Sequence, residues 1–322
     1  MASLLIIGGS GFFGKSILDA YHRGLLNLLE IDSIIVLARN AGKLKETHSN
    51  LIDSSIQLID DDIGKCKSLP EADYVIHAAA SSDAASYLEK PLEEKLNIQA
   101  GSLNYCRLAK IYHKNSKILF VSSGAVYGLQ PSDMLSIAES YSLSTDVNQL
   151  AVNKRDYAAA KRDSEQAFKK LGEDGLQVSI ARCFAFVGPY LPLDKHFAIG
   201  NFMADGLAKQ NIEVKAKNLV YRSYMYSDDL VIWLMNIIKS SNTSCPIYNV
   251  GSDEEISIIE LAECVAKIFE VNAVYELPHK NQDVDRYIPD ISKARNDLCL
   301  EIVTKVEEAI IKIRIALSTN GH

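Results

Sequence analysis

The order of apolar segments along this 322-residue chain constrains its fold more than any other feature. Longer stretches with the apolar spacing of helices occupy residues 12–28, 84–114 and 153–171. Short and almost wholly apolar segments alternate with them, as strands do when both of their faces are covered. This alternation predicts an α/β fold with a doubly wound parallel sheet. The six segments are Leu4–Ile7, Ile34–Ala38, Ile56–Ile59, Tyr74–Ala78, Ile118–Ser122 and Val178–Arg182.

Charge and composition argue against several classes of function. The formal net charge is -7 and the sequence pI is about 5.6, which does not favour a nucleic-acid-binding surface. The apolar opening segment ends at Gly8 and is too short for a signal peptide or a membrane span. The six cysteines are scattered and include no C-x-x-C pair. We therefore expect no disulfide framework, no metal site and a cytoplasmic protein with reduced thiols.

A glycine-rich turn follows the first predicted strand directly. Residues 8–14 read GGSGFFG, and helical spacing begins at Phe12. Glycines at this spacing allow a tight turn, a close approach of the backbone to a pyrophosphate, and close packing of the helix on the strand. The N-terminus of that helix would offer its unpaired N–H groups to the phosphates. The segment thus predicts a dinucleotide site that includes Gly8, Gly11, Phe12, Phe13 and Gly14.

The end of the second predicted strand indicates which dinucleotide is bound. Enzymes that use NAD commonly have an acidic residue there, which accepts hydrogen bonds from the ribose hydroxyls. This chain has Ala38, Arg39 and Asn40 instead. Arg39 can pair with a 2′-phosphate, and no acidic side chain is present to repel that phosphate. We expect NADP as the cofactor, with NAD as the alternative, and Arg39 among the residues that bind it.

The regular pattern loosens after Arg182. Gly188-Pro189 and Pro192 interrupt it, and helical spacing then returns near 198–209, 228–240 and 257–270. No linker-like stretch separates the two parts. We expect a dinucleotide-binding domain over residues 1–182, with returning segments near 221–252, and a mainly substrate-binding lobe over residues 183–322.

A tyrosine and a lysine lie four residues apart in the third helical stretch. Tyr157 and Lys161 therefore share one face of the predicted helix, with three alanines between them. A free tyrosine has a pKa of about 10. The ammonium, together with a positive nicotinamide, would favour the phenolate and make Tyr157 a general base. Ser122 and Ser123 end the fifth predicted strand, where ligands of open α/β sheets bind, so we expect a hydroxyl there to point into the cofactor crevice.

Several motifs in this order resemble those of one family. They are the glycine-rich turn, the segment VIHAAA at residues 75–80, the segment SSGAVYG at residues 122–128, and Tyr157 with Lys161. From Leu5 to about Arg295 the chain resembles the extended short-chain dehydrogenases/reductases, and within them the NAD(P)-dependent nucleotide-sugar epimerase/dehydratase family. This resemblance implies a Rossmann fold with a smaller C-terminal substrate-binding lobe.

The resemblance implies roles for individual residues. Tyr157 would be the catalytic acid/base, Lys161 its electrostatic partner and a ribose contact, and Ser123 a hydrogen-bond partner of the reacting sugar oxygen. Asp62 resembles the acid that touches adenine, and residues 78–80 resemble the wall beside the cofactor. Beyond the glycine turn and Arg39, the implied cofactor-binding residues are Asp62, Ile63, Ala78, Ala79, Ala80, Asn97, Ser122, Tyr157 and Lys161.

The same resemblance implies a nucleotide-diphosphate sugar as the substrate. Arg222 lies in a segment that resembles the family's diphosphate-binding segment, and Arg286 would supply a second guanidinium. Two guanidiniums suit a pyrophosphate because each can bind two oxygens. The implied substrate-binding residues are Ser123, Gly124, Tyr157, His196, Asn201, Arg222 and Arg286.

The chain departs from the dehydratases of this family at two places in the site. They carry Thr-Asp-Glu where this chain has Ser123, Gly124 and Ala125, and elimination needs the acid and the base that those carboxylates supply. Ala185 stands where the family usually has an asparagine that contacts the substrate. His196 and Asn201 are expected to replace that asparagine.

These residues leave three functions open. The leading hypothesis is an NAD(P)-dependent oxidoreductase that acts at C4 of a nucleotide-diphosphate sugar, either a 4-ketoreductase or a 4-epimerase. The alternatives are a 4,6-dehydratase whose acid or base comes from elsewhere, such as His196, and a non-catalytic NADP-sensing protein. The Ser123, Tyr157 and Lys161 set weighs against a sensor, because a sensor needs no base. The resemblance also suggests a homodimer, and we expect no nucleic-acid or membrane partner.

Overall fold

The computed structural model describes residues 2–80, 89–143, 150, 152–193, 197–276 and 284–319, with the backbone alone at positions 28, 152, 153 and 319. The chain divides into two compact units. The first unit comprises Met1–Gly128, Ser142–Cys183 and Val231–Tyr248. The second unit comprises Leu129–Tyr141, Phe184–Leu230 and Asn249–His322.

Fourteen strands lie in the described residues, and seven of them form one sheet. The sheet has the order β11-β6-β5-β4-β1-β2-β3, and strands β1 to β6 pair in parallel. The predicted α/β fold with a doubly wound parallel sheet is confirmed. The strands are β1 (Ala2–Ile7), β2 (Ile31–Ala38), β3 (Ile56–Asp60), β4 (Tyr74–His77), β5 (Lys117–Ser123), β6 (Gln177–Cys183), β7 (Phe186–Val187), β8 (Ile212–Glu213), β9 (Leu219–Arg222), β10 (Met225–Tyr226), β11 (Ile247–Val250), β12 (Ile256–Ser257), β13 (Ala273–Val274) and β14 (Val284–Tyr287).

Most helices follow the predicted stretches closely, with two exceptions. In the stretch 84–114 the described helix runs only from Pro91 to Tyr112, because Lys90 is not helical, and residues 84–88 lie outside the described residues. The stretch 12–28 is not one helix, because the first helix ends at His22 and Gly24 adopts a positive φ of 77°. A left-handed glycine is a common way to end a helix, and a short 3-10 turn follows at Asn27–Leu29. The described helices are α1 (Phe12–His22), α2 (Leu44–Thr47), α3 (Pro91–Tyr112), α4 (Val152–Glu173), α5 (Ala198–Leu207), α6 (Ser227–Lys239), α7 (Ile258–Phe269), α8 (Ser292–Leu298) and α9 (Val306–Thr319).

The core of the first unit lies between the sheet and its helices. Leu5, Val75 and Phe120 from the central strands are fully buried, as expected for strands covered on both faces. Phe120 stacks on Phe168 of α4, with ring centroids 4.3 Å apart, and Tyr105 of α3 also stacks on Phe168, at 5.6 Å. These stacked rings connect helices α3 and α4 to the sheet.

The second unit contains small sheets and helices of its own. Strands β12, β9 and β14 form a three-stranded sheet in that order, with β14 parallel and β12 antiparallel to β9. Helix α7 begins with a capping box, in which Ser257 Oγ accepts from the Glu260 N–H and the Glu260 carboxylate accepts from the Ser257 N–H. No helix in the described part of the chain has the length and apolar character of a membrane span.

Candidate active site

A pocket in the first unit opens beside the glycine turn, at the ends of β1, β2 and β4. Such an edge of a parallel sheet is where ligands of α/β proteins bind. Eight residues that the sequence predicts for cofactor binding line this pocket: Gly8, Gly11, Arg39, Asp62, Ile63, Ala79, Ala80 and Asn97. Phe12, Phe13, Gly14 and Ala78 are not among its lining residues, although they belong to the same two segments.

Glycine is required at two positions of the turn. Gly8 has a positive φ of 85°, and a Cβ there would lie 2.6 Å from the Cα of Ala79. A Cβ on Gly14 would lie 2.0 Å from the carbonyl oxygen of Gly9, so the first turn of α1 packs directly on the loop. The backbone therefore comes close to the pocket without intervening side chains. This cradle at the N-terminus of α1 fits the diphosphate of a dinucleotide.

The part of the pocket near the ends of β2 and β3 is lined by side chains of both charges. Arg39 is exposed and lines the pocket beside Asn40 at the end of β2. Asp61 and Asp62 line it after β3, and Asp62 Oδ1 accepts from the Gly64 N–H at 2.9 Å. Several lining residues are not among the predicted cofactor contacts; those with polar side chains are Ser10, Asn40, Asp61, Lys65 and Glu94. The place of Ser10 inside the glycine turn was a signal for one of them.

Ser123 and Tyr157 come together in the first unit. Ser123 ends β5 and its hydroxyl accepts from the Ala125 N–H at 3.1 Å, while Tyr157 lies in the second turn of α4. A hydrogen bond joins the Tyr157 phenol to Ser123. Gly124 and Ala125 follow in a 3-10 turn over Gly124–Tyr127 and bring no ionisable group to the loop. The loop thus provides hydroxyls without a carboxylate.

Burial controls the protonation of Tyr157. It raises the pKa of the phenol to about 12, although the hydrogen bond from Ser123 opposes this rise. Cys183 on β6 adds to the rise. Lys161 together with a positive nicotinamide was expected to favour the phenolate, and in the protein without a cofactor Lys161 does not offset the effect of burial. At neutral pH Tyr157 carries its proton.

The Lys161 amine is directed towards the sheet. Its Nζ donates to the carbonyl oxygen of Val121 at 2.8 Å and lies 5.0 Å from the centre of the Phe120 ring and 5.9 Å from that of the Tyr157 ring. Burial lowers the pKa of Lys161 to about 8, while Cys183 and Glu165 oppose the decrease. The group therefore changes charge close to the physiological range.

A buried polar network, which the sequence analysis missed, lies beneath Ser123 and Tyr157. Arg182 on β6 donates from Nε and Nη2 to the two carboxylate oxygens of Glu165 on α4, at 3.0 and 2.7 Å. Ser122 Oγ donates to the same carboxylate at 2.7 Å, and Arg182 Nη1 donates to Tyr127 Oη at 3.0 Å. The spacing of Tyr157, Lys161 and Glu165 by four residues was the available signal. Ser122, predicted to bind cofactor, is buried in this network.

Two of the predicted substrate residues in the second unit, Arg222 and Arg286, are engaged in ion pairs. Arg222 on β9 forms a two-fold pair with Asp285 on β14, with N–O distances of 3.2 and 2.9 Å. Arg286 donates to Glu255 at 2.9 Å and its guanidinium lies over the Tyr221 ring. Both arginines thus have carboxylate partners that an anionic ligand must replace or share.

The two other predicted substrate residues of the second unit are Asn201 and His196. Asn201 is exposed on α5, and His196 lies outside the described residues. Within the described part of the chain, no group of three or more His, Cys, Asp or Glu side chains is arranged to hold a metal ion.

Comparison with known proteins identifies the family. The family described as NAD dependent epimerase/dehydratase family matches residues 4–251, which include the glycine turn, Ser123, Tyr157 and Lys161. The chain belongs to this family. It is therefore an NAD(P)-dependent enzyme of the extended short-chain dehydrogenase type, and the resemblance that its motifs suggested is confirmed.

Relatives of this epimerase/dehydratase family member span nearly the whole chain. UDP-glucuronic acid decarboxylase 6 of Arabidopsis thaliana is 28% identical over 310 residues, which cover 95% of this chain and 86% of that protein. Among solved structures, a UDP-glucose 4-epimerase from Thermotoga maritima with UDP-glucose has a TM-score of 0.78 at 20% identity, covering 99% of both chains. A dTDP-glucose 4,6-dehydratase from Streptomyces venezuelae with NAD bound has a TM-score of 0.80 at 21% identity. The match covers 99% of this chain and 98% of that one. The two structures support the same fold.

Proposed function

We propose that the protein is an oxidoreductase that acts at C4 of a nucleotide-diphosphate sugar, as a 4-ketoreductase or a 4-epimerase. One observation carries the proposal: the Ser123 and Tyr157 hydroxyls are hydrogen-bonded to each other, and the loop between Ser123 and Val126 has no carboxylate. Chemistry at C4 needs only one proton on one oxygen to be exchanged. Elimination across C5 and C6 needs a further acid and base.

Tyr157 and Ser123 have distinct roles in this proposal. The bound dinucleotide supplies or accepts the hydride. Ser123 holds the C4 oxygen by a hydrogen bond, and Tyr157 gives its phenolic proton to that oxygen or takes it back. Lys161 places a positive charge beneath the phenol ring, which favours phenolate once the proton has left. Because Tyr157 is protonated at neutral pH in the unliganded protein, its resting state suits the reduction of a ketone.

NADP is the cofactor that the residues of the pocket favour over NAD. Arg39 lines the pocket at the end of β2, where residues 38–40 include no acidic side chain. A guanidinium can bind two phosphate oxygens. The Arg39→Asp variant should weaken NADP binding by at least about tenfold, which corresponds to about 1.4 kcal/mol, and should strengthen or retain NAD binding. Equal Kd values for NADP in the wild type and the Arg39→Asp variant would rule out a preference for NADP that depends on Arg39.

The second unit is proposed as the substrate-binding lobe, with the first unit as the dinucleotide-binding domain. Arg222 and Arg286 lie on neighbouring strands β9 and β14 and can each offer two N–H groups to phosphate oxygens. Their present partners, Asp285 and Glu255, would have to yield to the diphosphate. A uridine nucleotide is the first candidate, since the relative from A. thaliana is named for a UDP-sugar and the T. maritima structure holds UDP-glucose.

The test of the proposed function uses the purified 322-residue protein. It is incubated with NADPH or NADH and with UDP-, GDP-, CDP- and dTDP-linked hexoses and 4-keto-6-deoxyhexoses, and products are identified by mass spectrometry and NMR. A 4-epimer or a 4-hydroxy product is expected, and the Tyr157→Phe variant should bind cofactor normally but lose most turnover. Unchanged turnover in that variant would end the assignment of Tyr157.

Decarboxylation of a nucleotide-linked uronic acid is a second candidate. The similarity of the chain to a UDP-glucuronic acid decarboxylase over 95% of its length favours it. Oxidation at C4 gives a β-keto acid, which loses carbon dioxide without a dedicated C5 base. Adding UDP-glucuronic acid to the panel separates the two functions, because only a decarboxylase releases carbon dioxide and a pentose product.

A homodimer is proposed through helix α3. Leu92, Leu96, Leu103 and Ile111 are each more than half exposed and recur at spacings of four, seven and eight residues, which places them along one side of the helix. An apolar stripe of this kind is typical of a protein interface. Light scattering of the wild type should give the mass of a dimer, and Leu103→Glu should give a monomer.

A further inference from the structure

A buried ion pair in the first unit contacts both ends of the loop that carries Ser123. The pair consists of Glu165 on α4 and Arg182 on β6, whose side chains are 1% and 3% exposed. At the start of the loop, the Ser122 hydroxyl donates to Glu165 Oε1 at 2.7 Å. At its end, Tyr127 Oη accepts from Arg182 Nη1 at 3.0 Å. Ser123 lies between these two contacts.

The ion pair also joins the three elements that build the site. Glu165 lies two helical turns beyond Tyr157 and one turn beyond Lys161 on α4. Arg182 is the partner of Ser122 in the register of β6 with β5. The helix that carries Tyr157 is thus tied to the strand that carries Ser123 by charge-assisted hydrogen bonds, which are shorter and stronger than neutral ones.

Stability alone gives little reason for such a pair. Removing two charges from water costs several kcal/mol per ion, and apolar side chains of similar volume often stabilise a protein equally well or better. Burial by itself would lower the pKa of Arg182, yet the hydrogen bond and charge of Glu165 raise it above its ordinary value. The arginine therefore remains charged, and its rigid donor geometry fixes where Tyr127 and Glu165 lie.

We propose that the Glu165–Arg182 pair, with Ser122 and Tyr127, is a clamp that positions Ser123 against Tyr157 for the reaction. All four are positioning residues, because they act through the loop and the helix rather than on the sugar. The proposal rests on the proposed function for its catalytic consequence. Its structural part, a loop held at both ends, can be measured without a substrate.

The test uses two variants that each remove one contact and leave the ion pair intact. Ser122→Ala removes the hydroxyl at the start of the loop, and Tyr127→Phe removes the one at its end while keeping the ring. Ser179→Ala is the matched control, because Ser179 on β6 is equally buried and its hydroxyl bonds to Ser241 at 2.7 Å, away from the loop. All three variants lose one buried hydrogen bond, so a similar decrease in Tm is expected.

Hydrogen–deuterium exchange and steady-state kinetics then separate positioning from stability. In the two loop variants, the amides of residues 122–128 should exchange faster and kcat should fall by about tenfold, with the cofactor Kd unchanged. The control should retain wild-type kcat and wild-type exchange in the loop. Loop variants that lose only Tm, as the control does, would overturn the proposal.

The failure of the clamp differs from the failure of the proposed function. A wild-type protein inactive on every C4 substrate would refute the proposed function, and faster loop exchange in the two variants would still support a clamp. Unchanged exchange would refute the clamp whatever the activity. Glu165→Gln provides a second measurement, since it keeps the shape of the side chain but removes its charge, and it should accelerate exchange at both ends of the loop.

Discussion

Two ionisable side chains one helical turn apart have pKa values that burial shifts in opposite directions. The pKa of Tyr157 rises to about 12 and the pKa of Lys161 falls to about 8, because the neutral form of each is favoured away from water. Below about pH 8 the phenol is therefore protonated and the amine is charged. Above that pH both groups are neutral, and the charge that would stabilise a phenolate is absent.

The first prediction concerns the pH dependence of activity. The folded-state pKa of Lys161 is depressed, so its charge is present below about pH 8 and is lost above it, and kcat/KM should fall through that pH. The other groups near the amine do not change charge there: burial raises the pKa of Cys183 and of Tyr157 and lowers that of His77 to about 3. Glu165 is the remaining charged neighbour.

The Lys161→Arg variant is the control for this decrease in kcat/KM. A guanidinium keeps its proton well above pH 8, so the decrease in kcat/KM near that pH should be absent even if the variant is slower. If kcat/KM of the variant still decreased at about pH 8, the titration would belong to another group.

The second prediction contrasts two glycines of the turn. Gly14→Ala should destabilise the protein by about 1–3 kcal/mol or more, because its Cβ would overlap the Gly9 carbonyl oxygen. Gly11→Ala should change the free energy of unfolding by less than about 0.5 kcal/mol, since the nearest atom to its Cβ is 3.7 Å away. Thermal unfolding measures both, and equal losses would show that the overlap at position 14 is relieved by movement of the loop.

At the scale of elements, strands were predictable to within one or two residues at most ends. Fully apolar segments leave few alternatives, and β5 and β6 each extend only one residue beyond the predicted segment at either end. The helix α1 was predicted too long, because its apolar spacing continues past Gly24 into a separate 3-10 turn. The strand β11 did not appear among the six predicted segments, since its four residues include two polar ones.

The site was predictable where its residues follow strand ends or share a helix face. Ser123 and Tyr157 do so, and they lie together. The partners of Arg222 and Arg286 were not predictable, because each ion pair joins segments separated by at least 31 residues. The pKa of Tyr157 was also not predictable, because it depends on how completely surrounding elements exclude water from the phenol.

The third prediction concerns the N-terminus of α7. Ser257→Ala removes a hydroxyl that accepts from the Glu260 N–H and should cost about 1 kcal/mol in the free energy of unfolding. Glu260→Gln keeps an acceptor for the Ser257 N–H and should cost less than half of that. Chemical denaturation measures the difference, and similar losses in the two variants would mean that charge rather than capping stabilises this end.

At the scale of the whole molecule, buried histidines make folding sensitive to acid, because burial lowers the pKa of both His77 and His113. His77 is 1% exposed among the rings of Tyr105, Phe120 and Phe168, and burial lowers its pKa to about 3, with a further contribution from Lys161. The unfolded chain therefore binds a proton below about pH 6.5 that the folded protein does not. The contribution of His77 to the free energy of unfolding is therefore full above about pH 6.5 and decreases as the pH falls towards 3.

The fourth prediction follows from this histidine. Between pH 6.5 and pH 5 the wild type should lose about 2 kcal/mol through His77, since each pH unit corresponds to about 1.4 kcal/mol. His77→Phe keeps the ring contacts and should remove that loss, so the stabilities of the variant and the wild type should converge or cross on acidification. An unchanged slope in His77→Phe would contradict the prediction.

The sheet order has a consequence for synthesis on the ribosome. Strand β11 lies at the edge of the sheet beside β6, yet 63 residues separate Cys183 from Ile247. A nascent chain that has emerged only as far as β6 therefore has six strands of this sheet. The outer backbone N–H and C=O groups of β6 then have no partner strand to hydrogen-bond with. Such edges invite pairing with other chains. Once translation has passed Val250, β11 can pair with β6 and cover this edge. The interval between the synthesis of β6 and that of β11 is therefore when a chaperone would matter most.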